Sequence, residues 1–181
     1  MKIVSVNIGK KKTIQWRNKT FETGIFKYPV QEAIFLDTEN VKNDTIVNRK
    51  SHGGVEKAVY AYGENHYHYF KELHPNLDWQ YGIFGENITF SNLEETEIHI
   101  GEIYQLGRAK IQVSKSRQPC FKLGIRFNDQ SIVKQFWNST KCGVYFKVLQ
   151  SGNVTIGDEL ILLETANDNP TIAEAYHSKK P

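Results

Sequence analysis

Apolar and polar residues alternate in several short segments of this chain, a pattern that predicts half-buried β-strands. Near the N-terminus, Val4, Val6 and Ile8 alternate with Ser5 and Asn7. Glycine residues separate many of these segments and predict tight turns between them. The apolar run Lys57–Tyr62 predicts a buried strand, and further strands are predicted at Glu97–Ile100, Ile103–Leu106, about Ile111 and Val113, at Val144–Leu149 and at Val154–Leu163.

Three other segments have features of helices. Tyr67, Phe70 and Leu73 recur at helical spacing after Gly63. A second helix is predicted over residues 131–138, and Asn169-Pro170 predicts the start of a short terminal helix. Many short strands with few helices predict a mainly β fold of the β-rich α+β class, arranged as a mostly antiparallel barrel.

The length of 181 residues fits one domain. We expect that domain over residues 1–165, followed by a short C-terminal helical tail over residues 166–181. No apolar run approaches the roughly 18 residues that a membrane helix needs, and the alternating N-terminus lacks the apolar core of a signal peptide. We therefore expect a cytoplasmic protein with no membrane partner, in which Cys120 and Cys142 are reduced thiols.

The net charge of +3 is mild, and it suits an anionic small ligand or simple solubility. A dedicated nucleic-acid-binding protein concentrates more basic charge on one face, so nucleic acid is not the expected partner. A run of three lysines, Lys10 to Lys12, is interpreted as a solvated turn.

The Arg117-Gln118-Pro119-Cys120 segment is the first candidate for chemistry. Its proline cannot donate to a strand ladder, so Cys120 is expected in a loop beyond the strand. Basic residues on both sides, including Lys122, provide a positive field that favours the nucleophilic and metal-binding thiolate. A small buried residue is the alternative interpretation of Cys120, and Cys142 is interpreted as structural.

Two adjacent glycines, Gly53 and Gly54, allow a close approach of backbone to ligand, and consecutive free amides can cradle a phosphate. Arg49, His52 and Lys57 add donors and positive charge beside this turn. A hairpin turn is the commoner explanation of paired glycines, and the spacing of a P-loop is absent.

Two weaker candidates lie elsewhere in the chain. Gly85 precedes Asn87 near a strand start, where the asparagine either contacts a ligand or closes a turn. Lys27 lies between Phe26 and Tyr28. It is interpreted either as a snorkelling side chain or as a directed charge, even an imine-forming amine.

Together these segments resemble the MOSC domain family, the domain found at the C-terminus of molybdenum-cofactor sulfurases, and especially its YiiM-like stand-alone branch. They occur in the order of that family and span about Lys2 to Leu163. The matching motifs are Thr23-Gly24-Ile25 with Lys27 and Pro29-Val30, His52-Gly53-Gly54 with Lys57-Ala58-Val59-Tyr60, Phe84-Gly85-Glu86-Asn87, Gly101-Glu102, and Arg117-Gln118-Pro119-Cys120-Phe121-Lys122-Leu123.

The resemblance implies a barrel of the pyruvate-kinase β-barrel type and a pocket for the molybdenum cofactor, molybdopterin. It makes Cys120 the catalytic residue, either as a ligand of molybdenum or as a persulfide carrier. The cofactor-binding residues would be Lys27, Arg49, His52, Lys57, Asn87 and Arg117, with Gly53, Gly54 and Gly85 shaping the backbone. Descriptions of some family members mention pyridoxal phosphate, for which this sequence offers only Lys27.

Three functions follow as hypotheses. Relatives in this branch reduce and thereby detoxify N-hydroxylated compounds such as hydroxylaminopurines, with electrons from a partner reductase, and homodimer formation is left open. The second hypothesis is a non-redox sulfur carrier or cofactor chaperone that uses a Cys120 persulfide. The third is a nucleic-acid-binding barrel that uses Lys10 to Lys12, ranked last because the charge is mild and scattered.

Overall fold

A computed structural model describes residues 1–47 and 53–180 of the chain, and the described part is built mainly of β-strands. These strands are short, as the closely spaced turns predict. They are β1 (Ile3–Gly9), β2 (Lys12–Trp16), β3 (Lys19–Thr23), β4 (Lys27–Val30), β5 (Ile34–Leu36), β6 (Val59–Gly63), β7 (Ile88–Phe90), β8 (Ile103–Leu106), β9 (Ala109–Ser116), β10 (Val144–Gln150), β11 (Gly152–Val154) and β12 (Leu160–Glu164).

Four short α-helices accompany the strands in the described part of the chain, so the predicted β-rich α+β class is confirmed. None of the helices within these ranges is long and apolar enough to span a membrane. The helices are α1 (Asn65–Leu73), α2 (Phe121–Phe127), α3 (Ser131–Asn138) and α4 (Ile172–His177), and a 3₁₀ turn covers Val55–Lys57.

Eight strands form one sheet in the order β12-β8-β9-β10-β6-β7-β1-β4, and two smaller sheets pair β5 with β11 and β2 with β3. The strands β6 and β7 are parallel, whereas the other described ladders are antiparallel. Within the described ranges no ladder joins the end strands β12 and β4. The sheet is therefore not closed there, and the predicted barrel is not confirmed.

Aromatic side chains fill the core between the sheet and the helices. The ring centroids of Tyr62 and Phe84 lie 4.2 Å apart, and those of Phe70 and Phe136 lie 5.8 Å apart. All four side chains are fully buried, and each such burial stabilises the fold by about 1.5–3 kcal/mol. The abundance of aromatic residues in the sequence thus serves packing.

Several elements were absent from the sequence prediction, among them the β2–β3 hairpin, the strands β4 and β5, and helix α2. The β2–β3 hairpin turns at Arg17 and Asn18, whose φ angles of 47° and 60° fit the left-handed pair of a type I′ turn. Helix α2 begins directly after Cys120, where the sequence predicted only a loop.

Two predicted strands differ from the structure. The segment Glu97–Ile100 forms turns and a single bridge from His99 to Thr171, and the segment Val154–Leu163 is interrupted by a turn at Ile156 and Gly157 between β11 and β12. The Glu102 carboxylate accepts a hydrogen bond from the His99 amide at 3.1 Å and so closes a turn in the first of these segments.

The predicted tail does contain a helix, although Thr171 caps it instead of Asn169. The Thr171 hydroxyl accepts from the Glu174 amide and the Glu174 carboxylate accepts from the Thr171 amide, which is a capping box. Tyr176 on this helix is fully buried and stacks on Trp137 with centroids 5.1 Å apart. The helix therefore packs on the main body, and the boundary at residue 165 stays a prediction.

Candidate functional site

A cleft opens where several strand and helix ends meet, and it collects six of the residues that the sequence singled out. Their positions are Lys27 at the start of β4, Lys57 at the end of the 3₁₀ turn, Gly85 and Asn87 just before β7, Arg117 just after β9 and Cys120 just before α2. Residues that are far apart along the chain therefore share one cavity, which is what a common binding site requires.

The glycine pair lies outside this lining. Gly54 has a φ of 84° and precedes the 3₁₀ turn, and its carbonyl accepts from the Lys57 amide at 2.8 Å. Gly53 and Gly54 thus shape the approach to Lys57 without lining the cleft. The predicted contacts of Arg49 and His52 fall outside the described residues.

Asp44 is the electrostatic centre of one wall of the cleft. Its carboxylate forms an ion pair with the Lys27 ammonium, and the two side chains are only 1% and 8% exposed. The Asn87 side-chain amide donates to the same carboxylate at 3.0 Å, and the Gly9 amide donates to its other oxygen at 2.7 Å. The charge of Lys27 is therefore balanced within the protein.

This ion pair bears on the imine-forming role considered for Lys27. Imine formation requires an amine that is free to attack a carbonyl group, whereas the Lys27 amine is buried and occupied by the ion pair with Asp44. The arrangement of Lys27 therefore gives a pyridoxal site no support.

Close backbone packing holds Asp44 in place. A Cβ atom on Gly24 would lie 1.8 Å from the carbonyl oxygen of Thr45, so only glycine fits at this position. The Thr45 amide also donates to the Gly9 carbonyl at 2.9 Å. The segment that carries Asp44 is thus fixed between the end of β1 and the Gly24 loop.

Asn87 joins the cleft to the sheet. Its side-chain oxygen accepts from the Tyr60 amide at 3.3 Å, and its own backbone amide donates to the Tyr60 carbonyl at 2.8 Å. These contacts join Asn87 to a residue 27 positions away, so the asparagine links the cleft to strand β6 and also lines the cleft itself.

Arg117 is a buried guanidinium, only 5% exposed, and it lines the cleft. It lies over the rings of Tyr60 and Phe136, 5.0 and 5.2 Å from their centroids, and donates a long hydrogen bond of 3.4 Å to the Tyr60 hydroxyl. No carboxylate pairs with it among the residues that the structure describes. This buried cation therefore has donor capacity for an anionic ligand.

Arg117 is charged, because an arginine guanidinium is not deprotonated in proteins. Burial alone would lower the pKa of Arg117, but the ionisable Tyr60, Tyr145 and Cys120 close by raise it above the usual arginine value. Burial raises the pKa of Tyr60 well above its usual range and also raises that of Tyr145, so both phenols stay neutral. The site thus combines a permanent positive charge with neutral aromatic walls.

The two thiols differ in exposure. Cys142 is fully buried, and burial raises its pKa well above the usual thiol value. Cys120 is partly exposed, lines the cleft and lies near enough to Arg117 to raise the pKa of the guanidinium. A reactive or metal-binding role is therefore sterically open to Cys120 and closed to Cys142.

Sequence reasoning missed Asp44 and the aromatic walls formed by Tyr60, Phe84 and Tyr145. No local sequence pattern marks Asp44 as a site residue, because an aspartate after an asparagine is typical of a turn. The residues that Asp44 contacts are also remote in the sequence. Tyr60 and Tyr145 fall within predicted strands and Phe84 within the Phe84-Gly85-Glu86-Asn87 motif, but the local pattern could not show that these aromatic residues also border a cleft.

Comparisons with known proteins agree with this architecture. The model of the MOSC domain family matches residues 48–161. The uncharacterized protein YflK of Bacillus subtilis is 35% identical over 98% of this chain and 82% of its own length. The crystal structure of YiiM from Geobacillus stearothermophilus superposes with a TM-score of 0.80 at 33% identity, covering 99% of this chain and 86% of that chain.

A third relative is a larger protein. A Gibberella moniliformis protein named "Reductase" is 34% identical over 78% of this chain, which corresponds to 26% of its own length. The matched segment is thus about a quarter of that protein. Because the family model covers most of the sequence and a YiiM structure superposes over nearly all of it, the chain belongs to the MOSC domain family, as a YiiM-like member.

Proposed function

We propose that the cleft binds the molybdenum cofactor, with which the MOSC family is associated, and serves the reduction of N-hydroxylated compounds in the cytoplasm. The observation that carries the proposal is Arg117, a buried cation without a carboxylate partner in the described chain, in the same cleft as the partly exposed thiol of Cys120. Molybdopterin has a phosphate that needs positive charge, and molybdenum accepts a soft thiolate ligand.

The chemistry of the cleft residues fits the parts of this cofactor. Arg117 and Lys57 would hold the phosphate, while Lys27 contributes less net charge because Asp44 balances it. Cys120 would ligate the metal, and the amide of Asn87 would orient a polar edge of the pterin. When bound, the cofactor supplies the two-electron redox chemistry, and the protein supplies orientation and electrostatics.

The substrate class follows from the reaction and from the walls of the cleft. Reduction of a hydroxylamine, R–NHOH, consumes two electrons and two protons and yields R–NH₂ and water. Tyr145 is a partly exposed aromatic residue that lines the cleft, and its neutral ring suits contact with a planar ring such as a hydroxylaminopurine. Electrons would come from a partner reductase, and the "Reductase" name of the fungal relative favours this redox role.

Cofactor content and turnover test this proposal directly. Protein made in a host that synthesises the cofactor is expected to contain molybdenum and pterin and to reduce hydroxylaminopurine. Cys120→Ala should abolish the reduction, because the soft metal ligand is lost. Cys142→Ala is the matched control, since it removes the buried thiol outside the cleft and should retain activity. Wild-type activity without molybdenum, or full activity of Cys120→Ala, would refute the proposal.

A sulfur carrier is the second candidate, favoured by the exposure of the Cys120 thiol within the cleft. In that case Cys120 would form a persulfide and no hydroxylamine would be reduced. Intact-protein mass spectrometry after incubation with a cysteine desulfurase and cysteine separates the two candidates. A stable gain of one sulfur atom that requires Cys120, together with absent reductase activity, would favour the carrier.

A further inference from the structure

One hairpin carries the net positive charge of this protein, because the basic residues elsewhere in the chain are balanced by acidic ones. We call residues 10–23, which comprise β2, β3 and the lysines before them, the basic hairpin. It contains five basic residues and one acidic residue, a formal charge of +4, whereas the whole chain carries +3. The rest of the chain therefore sums to −1. The basic residues are Lys10, Lys11, Lys12, Arg17 and Lys19, and all five are exposed.

The basic hairpin is attached firmly to the helix that follows Cys120. The Trp16 and Phe21 rings pack on the Phe121 ring, with centroids 6.1 and 5.1 Å apart. The Lys122 ammonium donates to the Glu22 carbonyl at 3.1 Å. These contacts hold the hairpin against the first turn of α2, so its charges have a defined position relative to the cysteine.

The same hairpin leads into the cleft. Thr23, its last residue, lines the cavity together with Gly24 and Ile25, and Cys120 adjoins Phe121, on which the hairpin packs. A macromolecule bound to the hairpin would therefore lie beside the cleft. This is the placement that an electron donor for the proposed reaction needs.

Little of this charge is neutralised within the protein. Lys11 pairs with Glu22 at 2.8 Å, but both side chains remain about half exposed, so water and salt weaken the pair. Lys12 lies 4.2 Å from the centroid of the Phe26 ring, a contact that leaves its charge intact. The hairpin therefore presents a positive field to a partner.

An acidic protein fits this surface better than nucleic acid. Trp16 is half-buried against Phe121 and so is not an open platform on which bases could stack. Five cations on one hairpin are also few compared with the roughly 6–10 phosphate contacts of a typical DNA-binding protein. A small patch of opposite charge is instead what steers two proteins together.

We propose that the basic hairpin is the docking surface for an acidic electron-carrier protein of the flavodoxin or ferredoxin type. This inference rests on the proposed function, because the carrier's electrons would serve the reaction in the cleft. A carrier that delivers one electron per encounter would dock twice for each hydroxylamine reduced.

Charge reversal tests the surface. The hairpin variant combines Lys10→Glu, Lys11→Glu and Lys19→Glu. The control variant combines Lys2→Glu, Lys71→Glu and Lys134→Glu, exposed residues outside the hairpin, and changes the net charge by the same amount. Binding of the cofactor-loaded protein to an acidic flavodoxin and to an acidic [2Fe–2S] ferredoxin is measured by calorimetry over a range of salt concentrations. A labelled oligonucleotide, single-stranded or duplex, is the competing probe.

We expect the hairpin variant to bind at least one of the two carriers about tenfold more weakly and to lose most of the salt dependence, while the control variant binds normally. Reduced methyl viologen, a small donor that needs no docking, should drive both variants equally. Should the hairpin variant fold poorly, the milder triple Lys→Gln change at the same positions should show a smaller loss in the same direction.

Three outcomes would overturn the docking proposal: no binding of either carrier, equal weakening in the control variant, or tighter binding of the oligonucleotide than of the carriers. If the proposed function is wrong, the experiment gives a result that differs from all three of these outcomes. In that case reduced methyl viologen would support no turnover in the unaltered protein, while the calorimetric comparison would still decide whether the hairpin binds acidic carriers.

Discussion

Glu86 lies next to the cleft residues but points into the core, where it is fully buried. One carboxyl oxygen accepts hydrogen bonds from the Tyr67 hydroxyl, from the Gly82 amide at 2.8 Å and from the Thr89 hydroxyl at 3.1 Å. The other oxygen is buried without a hydrogen-bond partner within the described residues. Burial raises the pKa of Glu86, although these three donors oppose the shift.

A raised pKa makes the stability contribution of Glu86 fall as pH rises. Below the usual glutamate pKa the group is protonated in both the folded and unfolded states, and it adds no pH dependence. Above that value the unfolded chain ionises first, so folding becomes less favourable until the folded-state pKa is passed. The carboxyl therefore destabilises the protein at neutral pH relative to mildly acidic pH.

We predict that Glu86→Gln, which keeps the accepting oxygen and cannot ionise, stabilises the protein at pH 7 more than at pH 4.5. The free energy of unfolding in urea at the two pH values measures this difference. Glu32→Gln, a change at an exposed glutamate, is the control and should show no such trend. A gain from Glu86→Gln that is the same at both pH values, or a loss that grows with pH, would contradict the assignment.

At the scale of elements, one loop carboxylate joins strand ends that are distant in the chain. Asp44 contacts Gly9 at the end of β1, Lys27 at the start of β4 and Asn87 immediately before β7. The strands β4, β1 and β7 are neighbours in the large sheet. Asp44 therefore fixes the rim of the sheet at the point where the cleft opens.

We predict that Asp44→Asn destabilises the fold by about 3–5 kcal/mol, because it leaves the buried Lys27 ammonium without its counter-charge. Chemical denaturation measures the loss. Glu159→Gln is the matched control, since Glu159 pairs with Lys2 on the surface at 57% and 63% exposure, and such a pair is worth about 0–1 kcal/mol.

A second variant separates the ion pair from other effects of the substitution. Adding Lys27→Met to Asp44→Asn removes the uncompensated charge and should recover part of the lost stability. If the double variant is no more stable than Asp44→Asn alone, the cost lies in the hydrogen bonds of Asp44 with Gly9 and Asn87 instead.

The sequence correctly predicted those strands and helices that depend on a residue pattern within their own segment. Alternation located β1, and the helical spacing of Tyr67 and Phe70 located α1, because each pattern reflects burial of one face. Helix α2 was missed because it is one short segment directly after a proline and a cysteine. The position of α2 depends on its packing against the basic hairpin. Neither the sequence of the helix nor that of the hairpin shows this contact.

The residues of the candidate site also divide into those that local sequence patterns could reveal and those that they could not. Arg117, Cys120, Lys57 and Asn87 stand beside turn or strand-end signals, and the structure brings them to one cleft. The ion pair of Lys27 with Asp44 depends on a contact between residues 17 positions apart, one at the start of β4 and the other beyond β5. Local pattern alone could not reveal that contact, because it exists only after the loop has packed on the sheet.

At the scale of the whole molecule, the C-terminal segment packs as part of the main body. Tyr176 is fully buried, and its hydroxyl donates to the Phe136 carbonyl at 2.9 Å. Phe136 belongs to the aromatic core and also lies under Arg117 of the cleft. The terminal helix therefore supports the residues beneath the candidate site, which implies that it unfolds together with them.

We predict that Tyr176→Ala destabilises the entire protein by about 3–5 kcal/mol, the usual cost of removing a large buried aromatic side chain. Circular dichroism of the sheet and fluorescence of Trp137, which stacks on Tyr176, should report one transition with a common shifted midpoint. His177→Ala, on the exposed side of the same helix, should leave both midpoints nearly unchanged. A fluorescence change that precedes loss of the sheet signal would show instead that the terminal helix detaches independently, as a separate tail would.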